Sequence, residues 1–154
     1  LASFVCRRSV LEHWPEFLIQ AGGNGDYKLA INACLQGKIR YIGTVMSVYR
    51  FLTSGSWSMR CRRDANLLAS SYFNVIKLLE GLDDYTGQKY HSAISQAILN
   101  NKYFIEESRF NFEVLSTGEY RDIYEQKTLQ YRIKNRMKTI LKPIYLSYRK
   151  IKFK

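Results

Sequence analysis

Apolar residues recur at helical spacing in three consecutive parts of the chain. The first set follows Gly25-Asp26 and ends at Gly37, which predicts a helix with one buried face. The second begins near Arg60 and ends at Gly81, and the third lies back on it as the other half of a helical hairpin. In chain order the apolar positions are Tyr27, Ala30, Ile31, Cys34 and Leu35; Leu67, Leu68, Tyr72, Val75, Ile76 and Leu79; and Tyr90, Ala93, Ile94, Ala97 and Ile98.

Short strands are predicted on both sides of the first helix. Residues 4–6 favour a strand, which leads into a short helix that Pro15 ends. Residues 38–42 alternate like a strand, and Gly43-Thr44 can turn the chain into a second strand over 45–50. The stretch 17–24, with glycines at its end, has the composition of a loop. These elements predict an α/β chain.

A long amphipathic helix is predicted from Glu119 to the C-terminal end. Pro143 should kink or restart it, because proline removes a backbone N–H and clashes with the preceding turn. Its apolar residues fall at steps of three and four, with lysines and arginines between them. They are Leu129, Ile133, Met137, Ile140, Ile144 and Tyr148.

Length and composition limit the class of protein. With 154 residues, 46% of them hydrophobic, the chain can form one domain with a core, and two full domains are not expected. Cys6, Cys34 and Cys61 form no Cys-x-x-Cys pair and indicate reduced thiols in a cytoplasmic protein. With only His13 and His91 to join them, a zinc site is not expected. No stretch approaches the roughly 20 apolar residues of a membrane-spanning helix.

The formal charge of +11 is concentrated near the C-terminal end. Residues 120–154 hold 11 lysines and arginines against two acidic residues, whereas residues 1–119 hold 13 against 11. The basic helix can lie in the headgroup layer of an anionic membrane, or pack its apolar side on the hairpin as a solvated tail. Nucleic acid is not an expected partner, because no helix-turn-helix, zinc-finger or RNA-recognition signature accompanies the charge.

Four motifs occur in order over residues 1–58. They are Phe4-Val5-Cys6-Arg7-Arg8-Ser9-Val10-Leu11, Gly25-Asp26-Tyr27, Gly37-Lys38-Ile39-Arg40-Tyr41-Ile42 and Val45-Met46-Ser47-Val48-Tyr49-Arg50. Together they resemble the C-terminal half of family 2 glycosyltransferases, above all bacterial ones. The resemblance implies a GT-A fold, whose N-terminal half binds the sugar nucleotide and carries an Asp-x-Asp metal motif. This chain has no Asp-x-Asp and opens at Leu1, so we expect that half to be missing and the segment alone to be inactive.

The same resemblance implies roles for particular residues. Asp26 corresponds to the carboxylate that inverting members use as general base on the acceptor hydroxyl, although as a bare sequence it also fits a helix N-cap. Tyr49 and Arg50 match a Tyr-Arg pair, and Arg50 would approach the donor diphosphate or pair with a local acid. Many members place a histidine where this chain has Leu52, which argues against a metal contact here. The divalent metal of the complete enzyme, Mg or Mn, would find its ligands mainly in the missing half.

Two tryptophans are candidates for contact with the acceptor sugar. Trp57, in a loop of small residues, is the better one, because Trp14 lies on an apolar helix face and fits the core. We therefore predict an acceptor-side part of a GT-A domain over 1–58, a helical hairpin over 59–118 and a basic amphipathic helical tail over 119–154.

The predicted function is transfer of a sugar from a nucleotide-sugar donor to a hydroxyl of a carbohydrate or lipid-linked acceptor, in cell-surface polysaccharide synthesis. The predicted location is the cytoplasm, with a peripheral position at the inner face of the membrane. The alternative is a basic helical module that binds nucleic acid or serves as a scaffold.

Overall fold

The computed structural model describes residues 4–45, 47–48, 53–144 and 147–148. Within these residues the chain folds into eight α-helices, with 3₁₀ turns at Arg8–Leu11 and Gly118–Tyr120. The helices are α1 (Glu16–Gln20), α2 (Gly25–Gln36), α3 (Trp57–Arg63), α4 (Ala65–Tyr85), α5 (His91–Ser108), α6 (Phe112–Leu115), α7 (Arg121–Glu125) and α8 (Leu129–Ile140).

The antiparallel pair α4 and α5 is the centre of the fold, and it confirms the predicted helical hairpin. Asp64 is the N-cap of α4, and its Oδ1 accepts hydrogen bonds from the backbone N–H groups of Asn66 at 2.8 Å and Leu67 at 3.3 Å. The predicted end at Gly81 is wrong, since α4 continues to Tyr85. Gly81 instead allows a close approach: a Cβ there would lie 3.0 Å from Phe17 Cδ2.

Helices α1 and α2 pack against the second half of α4. Leu18 of α1, Ile31 of α2 and Leu78 of α4 are buried together. The loop predicted over 17–24 is therefore partly wrong, because its first residues form α1 and supply Leu18 to this core. The sequence signal was weak because α1 is a single turn with no amphipathic repeat.

Helices α6, α7 and α8 surround the C-terminal end of α5. Tyr103 of α5, Phe112 and Leu115 of α6 and Tyr124 of α7 form their shared core. The single long helix predicted from Glu119 is wrong, because this region is divided into a 3₁₀ turn and two helices. The effect predicted for Pro143 is confirmed: α8 ends at Ile140, and residues 142–144 are helical again.

The predicted α/β class is also wrong, because the described residues contain no strand and therefore no GT-A sheet. The segments 4–6 and 38–45 are irregular, and neither finds a neighbouring strand to complete a ladder of hydrogen bonds. Their apolar side chains face solvent, with Val5 95% and Tyr41 and Val45 each 89% exposed. The last predicted strand, 45–50, lies partly outside the described residues.

Candidate functional site

Asp26 lies in the first turn of α2, directly after the sharp turn that joins α1 to α2. Gly23 and Asn24 both adopt positive φ, 63° and 50°, a conformation that glycine and asparagine tolerate best. Lys28 Nζ donates a hydrogen bond of 2.9 Å to the carbonyl of Ala21. This bond ties the beginning of α2 to the end of α1.

Two hydrogen bonds fasten the same turn to the central hairpin. Asn24 Nδ2 donates to the carbonyl of Ser71 at 3.3 Å, and Ser71 Oγ donates to Asn24 Oδ1 at 3.2 Å. Because Ser71 belongs to α4, the central helix fixes the place where α2 begins. The Asp26 backbone is thus held by the core of the protein and not only by its own loop.

The carboxylate of Asp26 is exposed and takes part in no hydrogen bond or ion pair within the part of the chain that the structure describes. The N-cap position belongs to Asn24, and Asp26 is the second residue of the helix. The interpretation of Asp26 as a helix cap is therefore wrong. The structure leaves this carboxylate available to a ligand.

A second anchor holds the other end of α2. Asn32 is completely buried, and its Nδ2 donates to the carbonyls of Val10 at 2.7 Å and His13 at 3.0 Å. Gln36, one turn further along, donates to the same His13 carbonyl at 2.9 Å and to Asn32 Oδ1 at 3.1 Å. These amides satisfy the backbone of the first 3₁₀ turn and bind it to α2.

The two tryptophans have different environments. Trp14 packs against the core of Leu18, Ile31 and Leu78, and its Nε1 donates to the carbonyl of Leu11 at 3.0 Å, which confirms the core interpretation. Trp57 is the first residue of α3, and 47% of it is exposed. An exposed indole on a helix end is suited to stacking on a ring of an incoming ligand.

Helices α2 and α3 are both connected to α4. Asn24, at the start of α2, reaches Ser71 of α4, while α3 packs against α4 with Cys61 buried. Among the described residues, no hydrogen bond joins Asp26 to Trp57. Tyr49 and Arg50, the other predicted substrate-binding residues, and Leu52 lie outside the described residues.

An open groove of about 1020 Å³ lies at the opposite end of α2 from Asp26. It runs between the segment 4–10 and the segment 36–45, and Val5, Ile39, Tyr41 and Val45 are among its lining residues. Asp26 and Gln36 are ten residues apart on one helix, or about 15 Å at a rise of about 1.5 Å per residue. The groove is therefore separate from the carboxylate.

No group of three histidine, cysteine, aspartate or glutamate side chains gathers into a metal site within residues 4–45, 47–48, 53–144 and 147–148. The structure instead places His91 between two partners: its Nδ1 lies 2.6 Å from Asp83 Oδ2, and its Nε2 lies 3.2 Å from Ser95 Oγ. From the sequence, His91 was considered only as a metal ligand. The overlooked signal is that Asp83 and His91 flank the turn of the hairpin, which their contact closes.

Comparison of the chain with protein-family models, with curated proteins and with solved structures gave no match. The likeness to family 2 glycosyltransferases is therefore carried by the four motifs alone. Of the residues to which those motifs give a role, the structure describes Asp26, which it holds in an anchored and unpartnered position.

Proposed function

We propose that this chain is the acceptor-side part of an inverting glycosyltransferase and that Asp26 is its general base. The motif order over residues 1–58 supports the type of reaction. The single structural observation that supports the residue is the exposed, unpartnered carboxylate of Asp26 at a turn anchored to α4. A carboxylate with only a capping role would instead be engaged with backbone N–H groups.

In this proposal the Asp26 carboxylate accepts the proton of an acceptor hydroxyl while the hydroxyl oxygen attacks the anomeric carbon of the donor. The bond from the anomeric carbon to the phosphate oxygen breaks, and a nucleoside diphosphate leaves with the bonding electrons. Attack from the side opposite the leaving group inverts the anomeric configuration. General base catalysis of this kind contributes typically about 10²–10⁴-fold to the rate.

The donor nucleotide and the divalent ion, Mg or Mn, are assigned to a part of the enzyme outside residues 1–154. The described residues gather no metal-ligand set, so they do not fit that ion. The groove at the far end of α2 gives this other part a docking place, because its highly exposed apolar lining suits burial against protein.

The acceptor is a carbohydrate or lipid-linked hydroxyl compound, and Trp57 is the residue proposed to stack on it. Arg50 and Tyr49 are proposed to bind substrate, with Arg50 near the donor diphosphate. The proposed location is the cytoplasm, at the inner face of the membrane, in the synthesis of cell-surface polysaccharide. The three free cysteines are consistent with a reducing compartment.

The test is sugar transfer by the complete protein and its Asp26→Asn variant, measured as nucleoside diphosphate release with a panel of nucleotide sugars and acceptors. Asp26→Asn should reduce transfer at least 100-fold while the affinity for donor stays within twofold, since the amide cannot take the proton. Asp122→Asn is the matched control, because Asp122 is an exposed aspartate in the first turn of α7. It should leave the rate unchanged.

Equal transfer rates in the wild type and Asp26→Asn would reject Asp26 as the base. Absence of transfer with every donor would reject the reaction type. Salt-sensitive binding of DNA or RNA by such an inactive protein would favour the nucleic-acid alternative instead.

A further inference from the structure

The described residues include no helix that is long and apolar enough to cross a bilayer, but α8 presents an apolar face to solvent. Four residues of α8 at steps of four, four and three form this face, which we call the apolar stripe. Each of them is at least half exposed. They are Leu129 (64%), Ile133 (50%), Met137 (55%) and Ile140 (78%).

The opposite face of α8 is fixed to the body of the protein. Tyr131 Oη donates a hydrogen bond of 2.6 Å to Glu107 Oε1 on α5, and Asn135 is 2% exposed. Ile133 lies two residues from each of them, and therefore about 160° around the helix from both. The apolar stripe cannot rotate into the core without breaking these contacts.

Positive charge borders the apolar stripe. At about 100° per residue, Arg136 and Lys134 lie on its two sides, and both side chains are exposed and form no ion pair within the described chain. Ile144, beyond Pro143, is also 67% exposed and extends the apolar surface. The sequence from 120 to 154 carries 11 lysines and arginines against two acidic residues.

A groove of about 650 Å³ runs beside the apolar stripe, between α8 and the segment 116–125. Arg132 and Arg136 line it together with Leu129 and Ile133, so that cationic and apolar side chains meet at one edge. Arg121 also lines the groove and is paired with Glu125 at 2.8 Å. Arg132 Nε is buried and has no hydrogen-bond partner.

We propose that α8 lies on the surface of an anionic phospholipid bilayer. The apolar stripe enters the boundary between headgroups and acyl chains, while Lys134 and Arg136 contact lipid phosphates and the neighbouring groove accepts a headgroup beside Arg132. The charge of the tail favours this occupant over a second copy of the chain, because two tails of net charge +9 repel each other. An amphipathic helix with cations along its border has this mode of binding.

The experiment measures binding of the chain to vesicles of phosphatidylcholine containing one third phosphatidylglycerol, by flotation. Ile133→Glu should lower the partition coefficient at least tenfold. Ile19→Glu is the matched control, since Ile19 is 65% exposed on α1 and far along the chain from α8. It should change binding by less than twofold, and far-ultraviolet circular dichroism should show the helix content of both variants unchanged.

A second variant tests the charge without placing an acid in the apolar stripe. The double substitution Lys134→Gln and Arg136→Gln should weaken binding at least fivefold at low salt and reduce its salt dependence. Equal binding to pure phosphatidylcholine vesicles would overturn the role of charge. Unchanged flotation of Ile133→Glu would overturn the proposal. It would also be overturned if the wild type does not bind vesicles and instead forms a stable dimer that Ile133→Glu dissociates.

Discussion

Replacement of Asn32 by alanine should loosen the first 3₁₀ turn from α2 and lower the stability of the whole chain. The substitution removes the two bonds that Asn32 donates to the carbonyls of Val10 and His13, at 2.7 and 3.0 Å, and the bond that it accepts from Gln36 at 3.1 Å. The site is completely buried, and at about 1 kcal/mol net for each bond the expected loss is about 3 kcal/mol. For a chain of this length that loss lowers the melting temperature by about 5–10 °C.

The assay is thermal and urea unfolding followed by circular dichroism at the helix band. Gln36 donates to the same two carbonyls at 3.4 and 2.9 Å and can still bond them in Asn32→Ala, so the double variant Asn32→Ala/Gln36→Ala should lose more stability than either single variant. Gln20→Ala is the control, because within the described residues that exposed amide donates its one hydrogen bond to Glu16 on the same helix. A melting temperature for Asn32→Ala within 2 °C of this control would refute the role of the buried amide.

Two further predictions concern packing and pH. Gly81→Val should destabilise the chain by about 1–3 kcal/mol in urea unfolding, because the new side chain would meet Phe17, whose Cδ2 lies 3.0 Å from the position of a Cβ at residue 81. Gly25→Ala is the control and should not destabilise the chain, because nothing lies within 4 Å of a Cβ there. Equal urea midpoints for the two variants would contradict this prediction. Burial and the hydrogen bond to Glu107 raise the pKa of Tyr131, so the folded state favours its neutral form. The contribution of this group to the free energy of unfolding is fully present below pH 10 and should be lost as the pH rises further. The free energy of unfolding should therefore fall less steeply above pH 10 in Tyr131→Phe than in the wild type. Equal steepness in both proteins between pH 8 and 11 would reject that role of Tyr131.

The long amphipathic elements were predictable because their periodic signal comes from burial on one face. Helices α2, α4 and α5 appear where the apolar spacing places them, and Tyr72, Ile76, Ile94 and Ile98 lie in or beside the core. Gly81 misled the prediction because glycine has two uses. Here it permits close contact with Phe17 rather than ending the helix.

The strands were not formed because sequence alternation shows which residues suit a strand but does not provide the neighbour that a strand needs. In residues 38–42 the alternation is clear, yet Ile39 and Tyr41 remain exposed in this chain. The state of Asp26 was also beyond the sequence. Whether a carboxylate near a helix start acts as the cap depends on where the helix begins, and Asn24 occupies the cap position.

We propose that the complete protein transfers a sugar with inversion at the anomeric carbon. The most direct measurement is nuclear magnetic resonance of the product formed from a nucleotide sugar of known anomeric configuration. Coupling to the anomeric proton should show the configuration opposite to that of the donor, together with one nucleoside diphosphate released for each sugar transferred. A product of retained configuration, or the absence of sugar transfer from every nucleotide sugar offered, would contradict the claim.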